Sequence, residues 1–330
     1  FGRIGRLVYR ALLERNFLDG RVEVVVVNDL VPADNLAYLL KYDTNHGTLS
    51  QNVKALDDST IQVGERTLKT LAMKANPNEL PWKDWNIDMV IECTGFFTKK
   101  QDAQGHIDAG AKKVIISAPS DDETPMYLKG VNAELYEGEG IISNASCTTN
   151  CLAPLIHVLI KEGIGVEQGL MMTAHAYTAS QVLQDGPSRK DFRGGRAGAE
   201  NLIPSSTGAA SSIGKVIPEV KGKLTGMSLR VPVSLVSMID LTFKPTRETS
   251  LHEINEAMKR ASETYLKGIL DYTEEQVVSS DFIHNSFSSV YDATASIELN
   301  SRFFKLIAWY DNEWGFSNRM VDMIDLVSSK

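Results

Sequence analysis

The stretch FGRIGRLVYRALLER, residues 1–15, joins two glycines, Gly2 and Gly5, directly to a helix pattern. Leu7, Val8, Ala11 and Leu12 recur at helical spacing, so a Gly-rich turn enters an amphipathic helix. The next apolar run, VEVVVVND (22–29), is continuous and ends in polar residues, the signature of a buried parallel strand. NLAYLLKYD (35–43) reads as a helix. IDMVIECTG (87–95), AKKVIISAPS (111–120) and GIISNASC (140–147) each carry an apolar strand into Gly, Ser or Thr. Carboxyl ends of parallel strands are where open α/β sheets hold ligands, so residues 1–150 are expected to form an α/β layer of that kind.

After Cys147 the texture changes. TNCLAPLIHVLIKEG (149–163) reads as a helix and GLMMTAHAYT (169–178) as a strand, followed by a polar segment over 179–199. LTGMSLRVPVSLVSMIDLTFKP (224–245) alternates as long strands do. TSLHEINEAMKRASETY (249–265) places Leu251, Ile254, Met258 and Ala261 on one helical stripe. RFFKLIAWYDNEWG (302–315) holds a strand and FSNRMVDMIDLVSS (316–329) a last helix. The expected second half is an α+β domain with a large, mostly antiparallel sheet.

Gly2 and Gly5 keep the spacing of the last two glycines of G-x-G-x-x-G, and the helix amides after them suit a pyrophosphate. Asp29 ends the following strand, where a carboxylate accepts from an adenosine ribose and repels a 2′-phosphate, which favours NAD over NADP. The alternative is a plain strand-to-helix turn with a capping Asp. A dinucleotide fold has a strand ahead of this turn, in the middle of its sheet, so upstream residues are expected to precede Phe1. Without that strand the sheet exposes two inner edges.

A net charge of -8 argues against nucleic acid as the primary partner. An odd count of three cysteines is no disulfide framework and points to a reducing compartment. No apolar run approaches the roughly 20 residues of a membrane helix, so a cytoplasmic protein is expected, with no membrane partner.

Two of the cysteines share SNASCTTNC (143–151). A zinc half-site lacks further ligands nearby, and no metal is expected. Residues four apart on a helix are badly placed for a disulfide. Cys147, at a strand-to-helix junction, is the better candidate: a helix N-terminus lowers a thiol pKa and supplies thiolate at neutral pH. Ser146 before it can cap. Cys151, one turn on, is expected as a small buried hydrophobe. Of six histidines, His46, His106, His157, His252 and His284 sit in polar helical or loop contexts. His175 ends an otherwise apolar strand and is the candidate base for a Cys–His pair.

NASCTTNCLAP, HAYT, DGPSRKDFRGGRAGAENLIPSSTGAA, GKLTGMSLRVP and WYDNEWG together resemble the phosphorylating glyceraldehyde-3-phosphate dehydrogenase family, in order and over essentially the whole chain. The resemblance implies a Rossmann-type NAD-binding domain over 1–146, completed by a returning helix at 313–330, and a catalytic domain over 147–312. It implies Cys147 as nucleophile and His175 as base. Thr178 and Arg230 match the substrate-phosphate site, and Ser146, Thr148, Thr207 and Gly208 the inorganic-phosphate site, with Arg196 a second basic candidate. Arg3 and Ile4 match the pyrophosphate loop, Asp29 the ribose carboxylate, and Thr94, Gly95 and Ser117 strand-end contacts. Asn312 matches the residue that holds the nicotinamide carboxamide. The implied cofactor is NAD, the substrates glyceraldehyde 3-phosphate and inorganic phosphate, the assembly a homotetramer contacting through 179–199, and the role glycolytic.

The chain departs from the family pattern at Ser180, where many relatives carry Asp or Thr, in RVPVSLVS, and by one residue between Cys147 and His175. Ser180 puts affinity for the substrate phosphate in question. The other readings are a relative acting on erythrose 4-phosphate and a catalytically silent nucleotide-binding scaffold.

Overall fold

A computed structural model gives the fold and describes residues 1–189 and 191–330. The chain divides into two compact units. The first comprises Phe1–Tyr127, Tyr136–Ala145 and Ser317–Lys330, and the second Leu128–Leu135 and Ser146–Phe316.

The first unit runs α1 (Arg3–Glu14), β1 (Val26–Asn28), α2 (Ala33–Lys41), the short hairpin β2 (Tyr42–Asp43) and β3 (Gly47–Thr48), then β4 (Val53–Asp57), β5 (Thr60–Val63) and β6 (Arg66–Leu71). After these come β7 (Met89–Glu92), α3 (Lys100–Asp108), β8 (Lys113–Ile116) and β9 (Ile141–Ser143). Strands β7, β8 and β9 form one parallel sheet. In the other, β1 lies parallel to β6, which continues into the antiparallel β5 and β4. The sequence reading assigns no element to 53–71.

The run 22–29 differs from its expectation. Only Val26–Asn28 is strand, and it is half-buried. The reason is pairing: β1 has one neighbour, so its other edge makes no ladder. Residues 22–28 and 86–94 both line a cavity of about 600 Å³, with Phe1, Val8 and Leu12 of the α1 region beside them.

Helix α1 buries the expected Leu7, Val8, Ala11 and Leu12, and also Arg10. Arg10 stays charged inside because its guanidinium donates to the carbonyls of Leu40, Lys41, His46 and Gly47, closing the C-terminus of α2 and the hairpin after it. Tyr42 and Asp43, expected in the helix, belong to that hairpin.

The second unit holds α4 (Cys147–Lys161), β10 (Gln168–Ala176), β11 (Ile203–Ser206), α5 (Ala209–Val216), β12 (Leu224–Val231) and β13 (Ser237–Lys244). It continues with α6 (Leu251–Glu263), β14 (Leu270–Thr273), β15 (Ser289–Asn300), β16 (Phe303–Tyr310) and the start of α7 (Trp314–Ser328). Its seven strands order as β11-β12-β10-β13-β16-β15-β14. The pairs β10–β12 and β14–β15 are parallel and the other four antiparallel. Helix α4 packs on β13, β15 and β16 and against α5 and α6. Leu152, Leu155, Ile156 and Leu159 on it are fully buried, which explains a helix apolar nearly all round. The anchored α4 and the central β10 carry the candidate residues Cys147 and His175. Within the first unit, Arg15 holds the later part of α7 through the Asn318 carbonyl and the Asp322 carboxylate.

Candidate active site

Cys147 is the first residue of α4. Ser146 caps the helix, its Oγ accepting from the Thr149 amide at 3.0 Å. Cys147 Sγ lies 3.5 Å from His175 Nε2 and 4.0 Å from Thr148 Oγ1. His175, 5% exposed, sits near the end of β10, where the parallel register sets it opposite Arg230 of β12. His175 Nδ1 has two close neighbours. The Ala176 carbonyl accepts at 2.8 Å, and Arg230 Nη1 lies at 2.7 Å while itself donating to that carbonyl at 3.1 Å. A proton on Nδ1 directed to Ala176 leaves the Nε2 lone pair facing sulfur, the arrangement a general base needs.

The electrostatics differ from the sequence expectation. Burial, and after it the neighbouring Arg230 cation, lower the His175 pKa to about 4. Burial also pushes the Cys147 thiol up, against Thr148 and Arg230, which pull it down. The helix N-terminus is present as anticipated, but desolvation outweighs it, so the resting pair is thiol and neutral imidazole rather than free thiolate. Among the described residues, Arg230 Nε is buried with no hydrogen-bond partner, a donor suited to an anion.

Thr148 is buried, and its Oγ1 lies 3.0 Å from Tyr310 Oη, which also reaches Thr173 Oγ1 at 2.8 Å. Thr178 stands two residues beyond β10, its amide donating to Gln181 Oε1 and its hydroxyl 3.0 Å from Ser180 Oγ. Thr207 and Gly208 follow β11. Thr207 Oγ1 accepts the Ala209 amide, and Gly208 opens α5. Arg196 is exposed and engaged by Asp185 at 2.7 Å. Asn312 is buried in the turn after β16, its Oδ1 accepting from Ser237 Oγ at 2.9 Å.

In the first unit, α1 begins without a side-chain cap and without an acidic residue in its first turn, so the amides of Arg3 and Ile4 suit an anion. The Arg3 guanidinium is turned to Asp43, with Nη1 to Oδ2 at 3.0 Å. Asp29 stands just past β1, accepting from the Leu30 amide at 2.6 Å. Thr94 turns back on Glu92, and Gly95 follows at φ +73 with open space where a Cβ would be. Ser117 stands just past β8, its amide bonded to the Glu92 carbonyl. An uncapped helix start, a strand-end carboxylate and an open glycine turn fit a dinucleotide.

A family profile described as "Glyceraldehyde 3-phosphate dehydrogenase, NAD binding domain" matches residues 1–100, and one described as "Glyceraldehyde 3-phosphate dehydrogenase, C-terminal domain" matches 146–312. The chain belongs to the glyceraldehyde-3-phosphate dehydrogenase family. It is 55% identical over 329 residues to glyceraldehyde-3-phosphate dehydrogenase of Chlamydia pneumoniae, covering 99% of this chain and 96% of that one. It is 55% identical to glyceraldehyde-3-phosphate dehydrogenase 1 of Trichormus variabilis, over 98% of this chain and 94% of the relative. The cytosolic enzyme of Gracilaria gracilis is 54% identical, with 98% of this chain and 95% of the relative covered. The cofactor of this dehydrogenase family is NAD.

Direct contacts and the β10–β12 register bring Ser146, Cys147, Thr148, His175 and Arg230 together. Arg196 is held by Asp185. Two buried groups escaped the sequence reading. Tyr310 is in the quoted WYDNEWG run, but nothing local says that its hydroxyl bridges Thr148 and Thr173. Ser237 lies in the departing RVPVSLVS run, which carries no local signal that its hydroxyl joins Ala176 to Asn312. His106, read as polar context, is buried: its Nε2 meets Glu92 Oε2 at 3.1 Å, and Trp82 Nε1 donates to its Nδ1 at 2.9 Å. Cys151 is fully buried, its thiol donating to Ser289 Oγ at 3.4 Å. No helix among the described residues is long and apolar enough to cross a membrane.

Proposed function

We propose that this NAD-dependent dehydrogenase of glyceraldehyde 3-phosphate works through Cys147 as nucleophile and His175 as base. The observation that carries this is the 3.5 Å approach of Cys147 Sγ to His175 Nε2 at a capped helix start. His175 takes the thiol proton as sulfur adds to the aldehyde carbon, and the new oxyanion is protonated to a hemithioacetal. The α4 amide at Cys147 and the transient imidazolium stabilise that oxyanion. His175 then removes the hydroxyl proton as the carbon is oxidised to a thioester. NAD, when bound, supplies the hydride acceptor. An oxygen of inorganic phosphate attacks the thioester carbon, the C–S bond breaks, and Cys147 leaves as thiolate with 1,3-bisphosphoglycerate as product.

Arg230, with an unpartnered buried Nε, and Thr178 hold the substrate's phosphate. Ser146, Thr148, Thr207 and Gly208 hold the attacking phosphate, and Arg196 joins them once freed from Asp185. Arg3, Ile4, Asp29, Thr94, Gly95 and Ser117 hold the dinucleotide in the domain built on the first unit, and Asn312 holds its carboxamide. Leu183 (84% exposed) and Phe192 (92% exposed) in the 179–199 segment support subunit contact there, in a homotetramer. Lys190 of that segment lies outside the described residues. The place of work is the cytoplasm.

A steady-state assay with glyceraldehyde 3-phosphate, NAD and inorganic phosphate tests the proposal. Phosphate-dependent NADH production that Cys147→Ser and iodoacetate abolish is expected. Turnover at the wild-type rate in Cys147→Ser overturns the mechanism, and faster turnover on erythrose 4-phosphate moves the substrate assignment.

A further inference from the structure

Asn312 presents an amide with two unlike ends, and only one of them can donate to the carbonyl of a carboxamide. Its Oδ1 is occupied by Ser237 Oγ at 2.9 Å. That hydroxyl is itself constrained, because it accepts the Ala176 amide at 3.1 Å. With an N–H already pointing at its oxygen, the hydroxyl has its hydrogen free to give, and the acceptor is Asn312 Oδ1. Asn312 Nδ2 is then the end left to donate outward. Ser237 and Asn312 are 1% and 5% exposed, so water does not compete freely for these atoms.

The backbone explains how Ser237 comes to this place. The antiparallel ladder between β10 and β13 ends at Ala174 opposite Met238. Continuing that register would put Val236 opposite Ala176. Val236 instead takes φ +67, a left-handed conformation that is costly for a β-branched residue. The chain therefore leaves the ladder, and the Ser237 hydroxyl accepts the Ala176 amide in place of a strand carbonyl. Ser237 also pairs with Tyr310 at the start of β13, two residues before Asn312. One buried hydroxyl thus ties the strand of the base to the turn of the cofactor residue.

We propose that Ser237 is a positioning residue that fixes which way round the Asn312 amide faces, and thereby the carboxamide geometry that Asn312 accepts. This rests on the reading of Asn312 as the holder of the nicotinamide carboxamide. Without the hydroxyl, the amide turns freely and offers Oδ1 as often as Nδ2. Nicotinamide can answer either end, since its carboxamide carries both C=O and NH2. A 3-acetylpyridine ring carries only C=O and can answer Nδ2 alone.

The test is equilibrium titration calorimetry with NAD and with 3-acetylpyridine adenine dinucleotide, without aldehyde, on wild type, Ser237→Ala, Ser237→Thr and Asn312→Ala. In Ser237→Ala the acetylpyridine analogue is expected to weaken by about twofold while NAD binding stays essentially unchanged, with Ser237→Thr restoring the analogue. Equal weakening of the two cofactors, or none, overturns the proposal. If Ser237→Ala does not fold, Ser237→Cys keeps the volume with a much weaker donor and carries the same expectation. If Asn312→Ala binds both cofactors as wild type does, the reading of Asn312 itself fails. If Asn312→Ala weakens both while Ser237→Ala changes neither, that reading stands and only the role of Ser237 is lost.

Discussion

His175 and Arg230 stand opposite one another in the parallel register of β10 and β12, and Arg230 Nη1 lies 2.7 Å from His175 Nδ1. A cation there opposes protonation of the imidazole. Arg230→Gln is therefore expected to move the acid limb of the kcat/KM profile to higher pH, toward the ordinary imidazole value. The same change removes a charged donor to the substrate's phosphate, so kcat/KM falls by about 10- to 100-fold, mostly through KM. A pH–rate series on both proteins checks the two effects together.

His175→Asn keeps a polar side chain but removes the proton acceptor beside sulfur. A drop of about 10²–10⁴ in kcat is expected. Burial already pushes the Cys147 thiol up, so alkylation by neutral iodoacetamide near pH 7 slows in the same variant. Alkylation at an unchanged rate would show that His175 does not take the thiol proton.

Acid should loosen the fold through the same imidazole. His175 titrates near 4 when folded, against about 6.5 when exposed. Above 6.5 folded and unfolded chains hold the same proton count at this site. Between 6.5 and 4 only the unfolded chain gains the proton, so stability is lost as pH falls through that window. His157, half-buried and also shifted down by burial and Lys161, acts in the same sense. The readout is therefore a difference: urea midpoints from pH 7.5 to 4.5 should fall less in His175→Gln than in wild type.

Tyr310→Phe removes a hydroxyl that both Thr148 and Thr173 reach. Burial keeps this phenol protonated at all working pH values. The variant leaves two threonine hydroxyls short of a partner, at a cost of about 1–3 kcal/mol in urea unfolding.

His106→Ala strips a partner from Glu92 and from the Trp82 indole at once. Glu92 also holds the turn at Thr94 through its other oxygen. About 3 kcal/mol of stability should be lost, together with a raised KM for NAD and little change in KM for the aldehyde. Equal rises in both KM values would mean that the effect is general unfolding rather than the turn.

Helix α1 shows how far local pattern carries. Its apolar spacing predicts the buried face correctly, because side chains three and four apart share a helix side whatever the surroundings. The same pattern could not announce that Arg10 is buried, since its partners are carbonyls 30 to 37 positions away. The strand at 22–29 misled for the opposite reason. A continuous apolar run says that both faces want cover, but the number of neighbouring strands decides how much of the run is strand.

The chain's own residue order determined the succession of elements, the cysteine at a helix start and membership of its family. These follow from periodicity and motif spacing, which are properties of neighbours along the chain. Tertiary structure decided which histidine faces Cys147, that burial rather than the helix dipole sets the resting charge of that pair, and that Ser237 joins Ala176 to Asn312. Each of these depends on sheet register and on desolvation, which arise only when residues tens to more than a hundred positions apart are brought within hydrogen-bonding distance.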